Sequence, residues 1–332
     1  MKFDFFVGID VSKNELDFSV VKAGVELFHF KGANNLAGIK AFVKMLKTKG
    51  GKLSNALFCM EHTGIYNNHL LQYCTKQKAT VWLESALHIK KSSELQRGKN
   101  DRVDALRIAM FAYKNKEEVK LWEPKRYVIQ RLKYLLGVRS RTVNVLKQLT
   151  TPLKEEEEFS DSNMNARKLN NGSIKILKKE IKNIEGEMLL LIKEDKELKR
   201  IHEQIVSVEG VGLITAASII VTTNEFKDIT EAKKFACYSG VAPFEYSSGS
   251  SIRGKTRVSK MANKTVKTLL HMAALSAIKI KGELREYFLR KVAEGKNKMS
   301  VINAVRNKLI QRIFACVKQN RKYEKNYIHS LA

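Results

Sequence analysis

FFVGID (residues 5–10) and ALFCME (residues 56–61) are two apolar runs that each end in an acid. A bare carboxylate at the end of a buried strand is costly unless something pairs with it. Asp10 and Glu61 therefore mark the edge of a sheet where a site should lie. A third stretch, DRVDALRIAMFAY (residues 101–113), opens an apolar-striped helix with Asp101 and Asp104, three residues apart and on one face. Two strand ends and one helix start can meet at a single point of an α/β sheet. Four carboxylates gathered there would repel one another and take up protons unless a cation neutralised them. Oxygen ligands suit Mg²⁺, or Mn²⁺ in its place. Asp10, Glu61, Asp101 and Asp104 are thus the candidate metal ligands and catalytic acids, for one ion or two.

The elements between these runs read β-β-β-α-β-α-β-α over residues 1–115. Phe5–Ile9, Leu16–Val21 and Val25–Phe30 are strands in close succession. Ile39, Phe42, Val43 and Leu46 share a helical face. Ala56–Cys59 and Ala79–Leu83 are strand-like, with a helix over Ile65–Cys74 between them. Antiparallel strands followed by strands with helical crossovers predict a mixed sheet covered by helices. This is the element order of the ribonuclease-H-like fold, with Asp10 on a central first strand and Glu61 on its neighbour. QRGKN (residues 96–100) reads as a basic, mobile loop at the mouth of the site, and Lys99 and Arg102 are candidate phosphate contacts.

The chain has 332 residues, is 44% hydrophobic and carries a net charge of +27, with Lys and Arg spread along its whole length. That balance predicts a polyanion partner. The four Cys have neither zinc-ligand nor redox-motif spacing, which fits buried thiols in a reducing compartment. No apolar run approaches the roughly 20 residues of a membrane span. A cytoplasmic, nucleoid-associated protein without membrane contact is expected.

Three domains are expected: 1–124, 125–205 and 206–332. In the second, Val128, Leu132 and Leu135, then Val143, Leu146 and Leu149, mark one long helix, which Pro152 and Glu155–Glu158 should break. Asn163–Gly172 reads as a polar loop. Ile174, Leu177, Ile181, Ile184, Met188 and Leu191 then follow spacings of 3, 4, 3, 4 and 3, a heptad seam pairing within the chain or between chains. The third domain is mainly helical. Gly210-Val211-Gly212 lies between two helical patterns and resembles a helix-hairpin-helix, whose backbone N–H groups can approach a phosphate. FACYSGVAPFEYSSGSSIRGKTRVSK follows, an embedded Ser-rich loop with Arg253, Lys255, Arg257 and Lys260 close together. A hydroxyl beside such cations can bind or attack a phosphate.

GIDVSK around Asp10, EHTGIY around Glu61, KNDRVDA around Asp101 and Asp104, EGVG, and the Ser-rich block occur in a specific order. In that order the chain resembles the insertion-sequence one-ten transposases, DEDD-serine recombinases guided by a bridge RNA, over nearly its whole length. The resemblance implies a RuvC-like catalytic domain and a C-terminal transposase domain. It implies donor and target DNA, a non-coding bridge RNA, and a homo-oligomer, dimer or tetramer, in which one subunit's serine loop meets another's acids. It also implies a phosphoserine link to one DNA strand. The family's serine precedes Gly in the Tyr246–Ser251 block, which lands on Ser248, with Ser247 beside it as a second hydroxyl. The alternative is a RuvC-type, metal-dependent, structure-specific nuclease with no covalent intermediate.

Overall fold

The computed structural model describes residues 3–92, 100–159, 166–248, 252–259 and 261–324. The chain forms two compact units, 1–124 and 125–332. The first unit runs β1 (Phe5–Val11), β2 (Glu15–Lys22), β3 (Val25–Ala33), α1 (Leu36–Thr48), β4 (Ala56–Glu61), α2 (Asn68–Lys76), β5 (Thr80–Glu84), α3 (Ala86–Ser92) and α4 (Asp101–Lys114). The strands form one sheet in the order β3-β2-β1-β4-β5. β1 pairs antiparallel with β2 and parallel with β4, so the sheet is mixed and β1 is central, as expected.

Nearly every residue of FFVGIDV is buried, the pattern of a strand covered on both faces. Alternation along the strand sorts its side chains. Phe5, Val7, Ile9 and Val11 enter one core with Phe18, Phe42 and Phe58, where the Phe18 and Phe42 rings stack 3.9 Å apart. Phe6 enters the other with Leu57, Cys59, Trp82, Ile108 and Ala109. Gly8 and Asp10 share the face of Phe6, and on β4 Glu61 shares the face of Leu57 and Cys59. Both acids therefore look toward the layer of α4.

Gly8 is what lets α4 come close. A Cβ built on it would stand 2.1 Å from the Ala109 nitrogen and 2.2 Å from the Ala105 carbonyl oxygen, both backbone atoms that cannot swing aside. Gly8→Ala should therefore cost more than the ~1–3 kcal/mol usual for an overfilled core. It should also push α4, with Asp101 and Asp104, off β1. A thermal melt within a degree of wild type, or full strand-cutting activity, would contradict this.

The second unit runs α5 (Tyr127–Phe159), α6 (Ala166–Glu194), α7 (Lys196–Val206), α8 (Leu213–Thr223), α9 (Ala232–Tyr238), β6 (Pro243–Ser248), β7 (Ile252–Val258), α10 (Lys264–Ala277), α11 (Glu283–Ala293) and α12 (Lys298–Lys318). One core joins α5 to α12, with Leu198, Ile205, Ile219, Phe235, Leu270, Leu309 and Ile313 fully buried. Three sequence expectations are corrected. Pro152 does not break the first long helix, because α5 continues through it to Phe159. Leu153 just beyond is buried, and that packing outweighs the one hydrogen bond a proline forfeits. The polar stretch Asn163–Gly172 is helical from Ala166 onward. The described parts of the Ser-rich segment are not loop: β6 pairs antiparallel with β7. Its strands carry too few apolar residues to announce themselves by alternation. α5 and α6 pack side by side within the chain, tied by Arg139 to Glu185 at 2.7 Å and Arg131 to Glu187 at 3.3 Å.

Arg126, one residue before α5, ties three elements together. Its Nη1 and Nη2 donate to Asp195 at 2.8 and 3.1 Å. Its Nε donates to Glu225 at 3.0 Å, and a second bond joins its Nη2 to Glu225 Oε1. Asp195 in turn caps α7 by accepting from the Leu198 N–H at 2.8 Å. Glu225 is the middle of three successive left-handed residues, Asn224, Glu225 and Phe226, with φ of 51°, 58° and 62°. Such a run is costly for residues with a Cβ. The ion pair that Arg126 makes with the buried Glu225 and the packing of Phe226 against Phe314 hold it.

Candidate active site

Asp10 sits one residue past the last pair that β1 makes with β4, Ile9 opposite Met60. That places it beside Glu61, at the edge where both strands end. On its other side, Asp17 of β2 stands directly across the ladder, hence on the same face. Asp101 and Asp104 come from the first turn of α4. Asn100 caps that turn, its Oδ1 accepting from the Val103 N–H at 3.3 Å. The free N–H groups of a helix start favour acids there.

The electrostatics record how crowded these charges are. Burial pushes the Asp10 carboxyl up from 3.8 to about 6, and the charges of Asp101, Asp104, Glu61 and Asp17 add to the effect in that order. Glu61 is raised too, by burial first and then by Asp104. The described cations relieve this only in part. Arg107 pairs with Asp104 at 2.7 Å, whereas Arg102, expected at phosphates, pairs with Glu26 at 3.4 Å. The donor set is all oxygen, with an excess of negative charge, which fits a hard divalent cation. Among the described residues, no three His, Cys, Asp or Glu side chains already stand as a ready ligand set.

Sequence reading missed three supports of this face. Asn67 is 1% exposed; its Nδ2 donates to the Glu61 carbonyl at 3.0 Å, and its Oδ1 accepts from the Thr63 N–H at 2.7 Å. It fixes the turn that follows Glu61. The other two are Asp17, which is buried, and His29, whose Nε2 lies 2.9 Å from Asp17 Oδ1. Only the strand register relates these two to Asp10. His62, next to Glu61, accepts from the Gly64 N–H at 3.3 Å and serves the turn.

In the second unit, Ser247 and Ser248 end β6, opposite Arg253 and Ile252 respectively. Arg253, Lys255 and Arg257 all lie on β7, and Arg257 is exposed. Lys99 and Lys260 lie outside the described residues. Gly210 and Gly212 fall between α7 and α8. Gly210 has φ +82°, and a Cβ there would meet the Ala273 carbonyl of α10 at 2.5 Å; Gly212 begins α8 with open space around it.

Comparison with known proteins places this architecture. A DEDD transposase family model matches residues 7–155, and the model described as Transposase IS116/IS110/IS902 family matches residues 202–289. The pilin gene-inverting proteins of Moraxella bovis and Moraxella lacunata are each 24% identical over 323 residues, covering 96% of this chain and 98% of theirs. An uncharacterized 43.6 kDa protein of insertion element IS110 from Streptomyces coelicolor is 29% identical over 120 residues, 36% of this chain and 29% of that protein. A mixed sheet with acids at its edge, inside a matched DEDD domain, defines a DNA transposase, an enzyme that recombines DNA. More narrowly, the chain belongs to the IS110 family of transposases.

Proposed function

We propose that the chain cuts and rejoins DNA through a phosphoserine link, under the direction of a bridge RNA. The observation that carries the metal half of this reading is the charge excess around Asp10, held at about 6 by burial and four neighbouring acids. Asp10, Glu61, Asp101 and Asp104 would hold a divalent ion, Mg²⁺ or Mn²⁺, drawing together as they do so. A bound ion would supply positive charge against the phosphate oxygens. Asn67 and the Asn100 cap keep the acid-bearing backbone in place.

Ser248 supplies the nucleophile. Its Oγ forms a bond to phosphorus while the bond from phosphorus to one deoxyribose oxygen breaks, and that oxygen leaves with a proton. Arg253, Lys255 and Arg257 on the adjoining strand offset the charge that develops on the phosphate. Gly212, at the open start of α8, is suited to a DNA backbone contact in a helix-hairpin-helix manner. The α5–α6 pair, with its heptad seam, serves as a coiled-coil arm between an N-terminal catalytic part and a C-terminal transposase part, and it mediates oligomerisation. Family membership supports the guide RNA and a shared active site, and the net charge of +27 suits both nucleic acids. Among the described residues, no helix is long and apolar enough to cross a membrane.

A complementation experiment tests the shared site. Ser248→Ala and Asp10→Asn chains, each inactive alone, should recover part of wild-type recombination when mixed. Recombination no higher than in either chain alone would place serine and acids of one site in the same subunit.

A further inference from the structure

The foot of the serine hairpin rests on a buried cation for which the described residues supply no anion. Gly240 and Val241 lead into β6. The Val241 carbonyl accepts from Asn303 Nδ2 of α12 at 2.8 Å. Asn303 Oδ1 accepts from Arg306 Nη1 at 3.3 Å, and Arg306 Nη2 lies 2.7 Å from His271 Nδ1 on α10. A guanidinium can only donate, so Nδ1 must accept and the imidazole proton sits on Nε2. Burial, then the Arg306 charge, lowers the His271 pKa, which keeps the ring neutral with that N–H free to donate.

Arg306 is 6% exposed, and its Nε is buried without a hydrogen-bond partner. Among the described residues no acid pairs with it, and burial lowers its pKa. The contrast with Arg126 and its two carboxylates is sharp. A buried, uncompensated charge is destabilising, and a protein that retains one has left a place for an anion. Lys267, one turn before His271 on α10, reaches the foot of the hairpin at Gly240. Its Nζ lies 3.6 Å from where a Cβ on Gly240 would stand. Gly240 has φ +63°, and any side chain there would crowd Ala262 and the lysine. Lys267 and His271 are both half-buried, so solvent reaches each of them.

We propose that Lys267 Nζ and His271 Nε2–H receive one phosphodiester of the DNA strand lying along the serine hairpin, with Arg306 beneath them supplying the buried positive charge. This rests on the reading that the hairpin engages DNA. It names the contact that would register the strand against Ser248. Arg306 acts as a positioning residue, fixing the His271 tautomer and the hairpin's foot through Asn303.

The test uses the full-length chain carrying Ser248→Ala, so that only reversible binding is read. Fluorescein-labelled DNA and RNA of equal length are titrated over a salt series. Lys267→Met should lower the slope of log affinity against log salt by about 1, the signature of one lost phosphate contact. His271→Phe should weaken DNA binding without changing that slope, because the lost donor is neutral. Arg306→Met should weaken DNA binding while the thermal midpoint holds or rises, since an unpaired buried charge is removed. Unchanged DNA affinity and slope in Lys267→Met and His271→Phe would overturn the proposal, as would a loss confined to RNA. A fallen midpoint in Arg306→Met with unchanged DNA affinity would make that arginine purely structural and likewise overturn it. If Ser248→Ala still forms a covalent adduct while these variants weaken DNA binding, the serine mechanism fails and the phosphate site stands.

Discussion

Asp10→Asn yields a folded protein that has lost DNA strand exchange by a factor on the order of 10³ or more, because one oxygen donor and its charge leave the centre of the acid face. The same change is expected to stabilise the metal-free chain at neutral pH. Asp10 is raised from 3.8 to about 6, so the folded state binds its proton more tightly than the unfolded state does. That contribution is fully present below about pH 4 and is lost as the pH rises through 6. A shift of this size is nominally ~3 kcal/mol; the carboxyl is only half-buried, and screening reduces it to ~1 kcal/mol. Without divalent ions, wild type should therefore melt lower at pH 7 than at pH 5, and Asp10→Asn should show a smaller drop, with only Glu61 still raised. Millimolar Mg²⁺ or Mn²⁺ should raise the wild-type midpoint at pH 7 and leave the variant unmoved. Strand exchange in EDTA, or in Asp10→Asn, would remove the metal-site reading.

Ser248→Ala is expected to reduce the covalent protein–DNA adduct to background, a loss as large as that of any single nucleophile. DNA and RNA affinities should stay within about twofold of wild type, since one small hydroxyl adds little to an electrostatically driven interface. The adduct is read by denaturing gel mobility with labelled DNA. If Ser247→Ala loses the adduct and Ser248→Ala keeps it, the register along β6 is off by one. If neither variant loses it, another residue is the nucleophile and the serine assignment fails; if wild type forms no adduct at all, a hydrolytic nuclease mechanism takes precedence.

The acid-bearing sheet was legible because its signals are local. FFVGID and ALFCME carry both the strand and the acid within six residues, and the stripe of DRVDALRIAMFAY places Asp101 and Asp104 at a helix start. The helix Ala86–Ser92 and the continuation of α5 through Pro152 were not legible. The first is one short run of mixed polarity, and the second depends on packing that a local rule about proline cannot see. The hairpin was hidden because Ser247 pairs with Arg253 through backbone register, not through apolar alternation. Asp17 with His29, Arg126 with Asp195 and Glu225, and Arg306 with His271 are meetings of residues 12 to 99 positions apart. Nothing in composition or periodicity foretells which distant partner a polar side chain will find.

The Arg126 knot has a mechanical meaning. The chain leaves the first unit at Pro124 and enters the second at Lys125. Lys125 pairs with Asp228 at 3.1 Å, and Arg126 beside it is clamped to the cap of α7 and to the left-handed corner after α8. A pull on the connection is borne first by short, directional ionic bonds, with the greasy interior behind them. Such a clasp is stiff under small displacements and yields abruptly beyond them. In an optical trap the second unit should resist as one block and then release in a single step, with no gradual peeling of α5.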